Sequence, residues 1–273
     1  MRLLQISDPH FGTEQVPVVA ALQQLARDLR PDQLVLSGDV TQRARPTQFA
    51  AAREFVDSLG VKSWLALPGN HDIPLFNLFL RAFRPYANYS RAFGDVLEPE
   101  SVREDAMVLA VNTTRRHRHK HGEVNAHQIA RVAKRLAQAK SEQLRIVVVH
   151  QPMHVPREAD EENLLRNAQE AARTWAAAGA DLVLGGHIHL PYVLPMSERY
   201  DGLSRELWCV QAGTAVSARV RWEAPNSVNV IDYPSSLRGR ECVVTRYDYA
   251  STDEHSVLGQ FARHSEHRIA LQR

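Results

Sequence analysis

Leu182-Val183-Leu184-Gly185-Gly186-His187-Ile188-His189 reads as a short buried strand that stops at two glycines and then delivers two imidazoles. Histidines two residues apart on extended backbone point the same way, so this pair can share one site. The same rhythm occurs four times upstream. Leu3–Ser7 runs into Asp8-Pro9-His10, and Leu34–Ser37 into Gly38-Asp39. Trp64–Pro68 runs into Gly69-Asn70-His71-Asp72, and Val147–Val149 into His150. Taken singly, an Asp-x-His or a Gly-Asp is more often a turn and a cap. Independent turns, however, have no reason to place His and carboxylate groups after five apolar runs. In a largely parallel sheet the carboxyl ends of the strands lie together, which is where open α/β folds place their sites. The pattern points to an α/β domain whose strand ends converge on a metal site.

The runs Leu3–Ile6, Leu34–Leu36, Trp64–Leu67, Val108–Val111, Ile146–Val149 and Leu182–Leu184 do not alternate with polar residues. Strands covered on both faces read this way. Helical patterns lie between them near 16–30, 46–59, 125–140 and 162–178; Pro46 suits a first helical turn, and Gly60 and Gly179 stand where C-caps belong. From about 205 the chain turns to strands, at Glu206–Val210, Val228–Asp232 and Glu241–Tyr247. The expected division is a catalytic domain over 1–250 and a polar tail or peripheral helix over 251–273.

Bulk properties exclude more than they assign. A chain of 273 residues with 44% apolar and 23% charged content is that of an ordinary globular enzyme. A net charge of +2 gives no whole-molecule field to hold nucleic acid, so no stable nucleic-acid complex is expected. No stretch has the length of a membrane span, and the apolar run after Met1 is too short for a signal peptide. Two cysteines, Cys209 and Cys242, make no disulfide framework and suit a reducing cytoplasm.

Taken in order, the blocks D-x-H, G-D, G-N-H-D, H and G-H-x-H resemble the calcineurin-like metallophosphoesterase superfamily over about residues 1–235. Gly38-Asp39-Val40-Thr41-Gln42 and Pro68-Gly69-Asn70-His71-Asp72 resemble in particular its bacterial class III cyclic-nucleotide phosphodiesterases. The resemblance implies a four-layer αββα sandwich of two mixed sheets flanked by helices. It implies one metal on Asp8, His10, Asp39 and His189, and a second on Asp39, Asn70, His150 and His187, with Asp39 shared. Oxygen and imidazole donors without thiolates suit Mn, Fe or Zn, and two such ions clamp a phosphate and acidify water. By the same resemblance His71 is the general acid for the leaving oxygen, while Asp72 orients it or caps a helix beginning near Pro74. The implied activity is hydrolysis of a small phosphodiester such as a 3',5'-cyclic nucleotide. The competing readings are a DNA exonuclease, a hydrolase of lipid or nucleotide diesters, and a metal-binding scaffold without turnover.

Three further features invite roles. The basic run Arg115-Arg116-His117-Arg118-His119-Lys120-His121 is either a solvated loop or an overhang that attracts phosphate, with His121 as the member expected at the site. His154 is expected near the substrate, and Arg219, with Arg221, is expected to reach a phosphate oxygen. The apolar segment Ile73–Phe83 reads as core or as the interface of a homodimer, with a lipid-facing wall as the alternative.

Overall fold

The computed structural model describes residues 1–221, 224–251 and 259–273. In chain order its elements are β1 (Arg2–Ile6), α1 (Val16–Leu29), β2 (Gln33–Leu36), α2 (Pro46–Ser58), β3 (Trp64–Ala66), α3 (Leu78–Phe83), α4 (Ala87–Phe93), β4 (Glu100–Val102) and β5 (Ala106–Ala110). There follow α5 (Ala126–Leu136), β6 (Leu144–Val148), α6 (Ala168–Ala177), β7 (Leu182–Gly185), β8 (Tyr192–Pro195), β9 (Trp208–Gln211), β10 (Ser227–Asp232), β11 (Glu241–Ser251) and β12 (Gly259–Ala270).

The strands form two mixed six-stranded sheets, ordered β12-β11-β10-β1-β2-β3 and β4-β5-β6-β7-β9-β8. In the first, β1, β2 and β3 are parallel, with Leu4 opposite Leu34 and Leu34 opposite Trp64. In the second, β5, β6, β7 and β9 are parallel. Side-chain alternation separates three apolar layers. Leu3, Val35 and Leu65 point between the sheets, where they meet Val108, Ile146, Leu182, Val210, Ile231 and Ile269. Their neighbours Leu4, Leu34, Leu36 and Ala66 point outwards onto Val18, Leu22 and Leu25 of α1 and Phe49 and Phe55 of α2. Val147 and Val183 point outwards onto Ile129 and Val132 of α5 and Trp175 of α6. Each central strand is buried on both faces, which explains its unbroken apolar run and gives the αββα order.

Four expectations change. The ligand-bearing strands do not share one sheet: β1, β2 and β3 belong to the first, β6 and β7 to the second. The polar blocks therefore meet across the gap between two sheets. Within that gap the Gln5 side chain donates to the Gly185 carbonyl at 2.9 Å, and Asn229 donates to Gln5 and to the Gln211 carbonyl. The region expected as a tail or helix holds a twelve-residue strand, β12, along β11; the part at 252–258 lies outside the described residues. The helix expected from 162 begins at Ala168, because Glu158–Asn163 forms a 3₁₀ turn. The helix expected near Pro74 begins at Leu78, where the Asn77 side chain caps it.

Candidate metal centre

Five loops bring the polar blocks together. Asp8, His10, Asp39, His187 and His189 all have positive φ, at +50°, +42°, +48°, +74° and +58°. Such angles are uncommon for residues with a Cβ and cluster where surrounding structure imposes them for function. After β1, β2 and β7 the chain takes sharp left-handed corners at these residues, whereas Asn70 opens a 3₁₀ turn. Gly38 and Gly69 let the corners pack tightly: a Cβ on Gly38 would meet the His150 ring, and one on Gly69 would meet the Asp39 backbone nitrogen.

The side chains fall into two groups that share one carboxylate. In the first, His10 Nε2 lies 3.7 Å from Asp8 Oδ1, 3.7 Å from Asp39 Oδ2 and 3.1 Å from His189 Nε2. In the second, His150 Nε2 lies 3.3 Å from Asp39 Oδ1 and 3.2 Å from Asn70 Oδ1, and its ring packs edge-on to His187 at 5.1 Å. The ligand atoms of Asp8, His10 and His189 lie within 4.8 Å of one another, as do those of Asp39, His150 and His187. Asp39 thus turns one oxygen to each group.

Backbone carbonyls aim the rings. His150 Nδ1 donates to the Ser37 carbonyl at 2.9 Å, and His189 Nδ1 donates to that of Arg219, which presents both Nε2 atoms to the centre. The orphaned atoms test whether this donor set fits a metal. Asp8 Oδ1 and both ring nitrogens of His187 are buried without a hydrogen-bond partner. Orphans at this density are costly, and a bound cation is one way to satisfy such atoms. The residues fit two ions.

Electrostatics favour neutral ligands at His10 and His187. Burial pushes the His10 and His187 imidazoles well below 6.5, which leaves them neutral and able to coordinate. Burial also raises Asp8 above its ordinary value, against the pull of His189 and His150. At Asp39 burial acts in the same direction, but His150 and His71 outweigh it and hold the carboxyl well below the usual range. For His150, burial opposes the charge and Asp39 overcomes it, raising the imidazole to about 9.

Around this centre the other expected residues divide. His71 sits at its edge: the ring packs against His10 at 4.8 Å, and Nδ1 donates to the Gln42 carbonyl at 3.1 Å. Arg219 is beside it, with Nη1 donating to Gln42 Oε1 at 2.9 Å and lying 3.5 Å from His71 Nε2. Arg221 instead pairs with Asp160 at 3.0 Å. His121 turns away, its Nδ1 donating to the Glu162 carbonyl. The loop member that faces the centre is His119, whose ring lies 6.5 Å from that of His71. His154 is buried elsewhere, with Nδ1 on the Val155 carbonyl, in a cleft lined by Arg157, Glu161 and Tyr200. Asp72 caps a helical turn, but that of Asn70–Asp72 in place of the helix expected near Pro74. It accepts from the backbone of Gly69, Val40 and Thr41 and from the Thr41 hydroxyl, tying the Asp39 corner to the Asn70 corner. Gln42, missed as a site residue, holds both His71 and Arg219; its presence in Gly-Asp-Val-Thr-Gln was the available signal.

Comparison with known proteins places this arrangement. Residues 1–191 match the family model for the calcineurin-like phosphoesterases. A probable cyclic nucleotide phosphodiesterase of Synechococcus is 31% identical over 83 residues, which are 27% of this chain and 32% of the relative. A dimetal phosphatase from Danio rerio superposes with a TM-score of 0.65 and 13% identity, covering 100% of this chain and 99% of the other. A purple acid phosphatase from yellow lupin gives 0.71 at 12% identity, covering 99% of this chain and 53% of that enzyme. At such identities the superpositions speak for the fold alone. Two six-stranded sheets between helices, with Asp, Asn and His corners meeting at their ends, and a family match over most of the length make this chain a member of the calcineurin-like phosphoesterase family.

Proposed function

We propose that the chain is a dinuclear metal-dependent phosphodiesterase. The observation that carries this reading is the position of Asp39, whose two oxygens face separate imidazole groups 3.7 Å and 3.3 Å away. Asp8, His10, Asp39 and His189 would hold one ion, and Asp39, Asn70, His150 and His187 the other. Bound there, two divalent ions such as Mn²⁺, Fe²⁺ or Zn²⁺ supply positive charge to phosphate oxygens and acidify water.

The chain's own residues handle the proton and the orientation. With Nδ1 of His71 committed to the Gln42 carbonyl, only Nε2 exchanges a proton with a substrate. The imidazolium gives that proton to the leaving oxygen, and the neutral ring left behind keeps its Nδ1–H bond. Arg219, pinned by Gln42, offers the rest of its guanidinium to a phosphate oxygen. A cyclic nucleotide is the substrate favoured by the Synechococcus relative. Cys209 and Cys242 are free, buried thiols, which supports a reducing cytoplasm as the location.

The test is hydrolysis of a bis-aryl phosphodiester and the matching monoester by metal-stripped protein reloaded with Mn²⁺. The expected result is diester-selective turnover that falls by roughly 10²–10⁴ in His71→Ala and is lost in Asn70→Ala. Absence of turnover by the loaded protein would leave a metal-binding scaffold. Faster cleavage of linear duplex DNA than of small diesters would make it a nuclease.

A further inference from the structure

Residues 73–83 were expected to pack in the core or in a dimer, with a lipid-facing wall as the alternative; within the single chain only Ile73 and Pro74 are buried. Phe76, Leu78, Phe79 and Phe83 are 79%, 72%, 69% and 71% exposed. Four large apolar side chains exposed within eight residues are far more than the scattered exposure usual on a protein surface. Their neighbours in sequence are basic, although Arg115 and Arg118 pair with Glu123. No acidic residue occurs between Asp72 and Asp95, whereas Arg81, Arg84 and Arg91 do; Arg115–His121 likewise carries no acid.

The two segments are one surface. Arg81 donates to the carbonyls of Pro74 and Arg118, Arg116 donates to that of Ala82, and the Arg43 guanidinium lies 5.6 Å from the centre of the Phe76 ring. Carbonyls and a ring hold these guanidiniums, which leaves their charge uncancelled. Arg45 lines the same groove as Phe76 and Leu80.

We propose that this face, residues 75–84 with the loop at 115–119, docks on an anionic phospholipid membrane. Exposed phenylalanines and leucine enter the acyl boundary while the surrounding arginines meet the headgroup phosphates, the arrangement by which peripheral proteins bind acidic bilayers. A second copy of the chain is the poorer occupant. Two-fold pairing of this face brings the same arginine collar against itself, and like charges then oppose the contact. His119 joins this surface to the catalytic edge through its 6.5 Å contact with His71, so docking brings the mouth of the site to the membrane. The proposal is independent of the phosphodiesterase reading, because its assay does not use turnover.

The experiment is co-sedimentation of the full chain with phosphatidylcholine vesicles and with vesicles about a third phosphatidylglycerol. Association with the anionic vesicles alone is expected, weakening when salt is raised to about 0.5 M. Phe79→Ser with Phe83→Ser should lower the bound fraction at least about tenfold with the melting temperature unchanged. Arg45→Ser with Arg84→Ser should remove the preference for anionic lipid. The proposal is overturned if the wild-type chain stays in the supernatant, or if the phenylalanine variant sediments as before. A dimer in light scattering that this variant dissociates, without vesicle binding, would assign the face to a second copy instead.

Discussion

Nε2 of His71 stands between a cation and a metal group: Arg219 Nη1 is 3.5 Å away, and the ring of His10 lies against its own. A ring so placed shares its anchor with the arginine, since Gln42 holds both. Close approach of this kind depends on the glycines beneath it. A Cβ on Gly69 would collide with backbone and side-chain atoms of Asp39, and neither partner can yield without moving the shared carboxylate. Gly69→Ala should therefore lower both the melting temperature and the affinity for Mn²⁺, read by calorimetry on the same preparation. Unchanged metal affinity would separate the corner from the site. The convergence of the seven residues expected as ligands was legible because their blocks lie within a few residues of strand ends, so strand end and block position are one inference. That His119, and not the expected His121, lies beside His71 has a long-range reason. The loop is set by Arg81 and Arg116 reaching to the carbonyls of Arg118 and Ala82, contacts between segments over thirty residues apart.

Strands show the same division between local and distant information. A run buried on both faces looks alike in either sheet, so sequence placed β1, β2, β3, β6 and β7 without saying which sheet holds each. β12 was illegible for the opposite reason. It is an edge strand in which only Phe261 and Ile269 are buried in the core, and the charged residues between them blunt an exposed edge. Phe261 nevertheless packs with Tyr247 and the α1 residues Leu22 and Leu25. Phe261→Ala should cost about 3–5 kcal/mol of unfolding free energy, measured as a shift in denaturant midpoint with unchanged slope. A loss below about 1 kcal/mol would mean that β12 adds little to the fold.

Across the whole molecule, the chain start is tied to the second sheet. The Met1 ammonium donates to the Tyr233 carbonyl at 2.8 Å and pairs with Asp105, beside β5, at 3.1 Å. Partial burial raises the Asp105 carboxyl, but the ammonium's hydrogen bond and charge outweigh it and hold the group below 3.8. A depressed carboxyl stabilises the folded state above its unfolded value and loses that contribution as pH falls through the folded value. Asp105→Asn should therefore lower the denaturant midpoint at neutral pH, and the two proteins should converge as the pH falls through the folded value, which lies below 3.8. A difference that persists in acid would point to lost packing in place of lost charge. No helix among the described residues is long and apolar enough to cross a membrane; the docking face proposed above is a surface feature.

At this same scale the account depends on Asp39 joining two metal groups contributed by two sheets. The direct measurement is saturation of metal-stripped protein with Mn²⁺, followed by elemental analysis of ions per chain for wild type, Asp39→Ala and His71→Ala, with circular dichroism to establish folding. Two ions in wild type and in His71→Ala, and one or none in folded Asp39→Ala, are expected. A single ion in wild type, or two retained without Asp39, would contradict the shared-carboxylate centre.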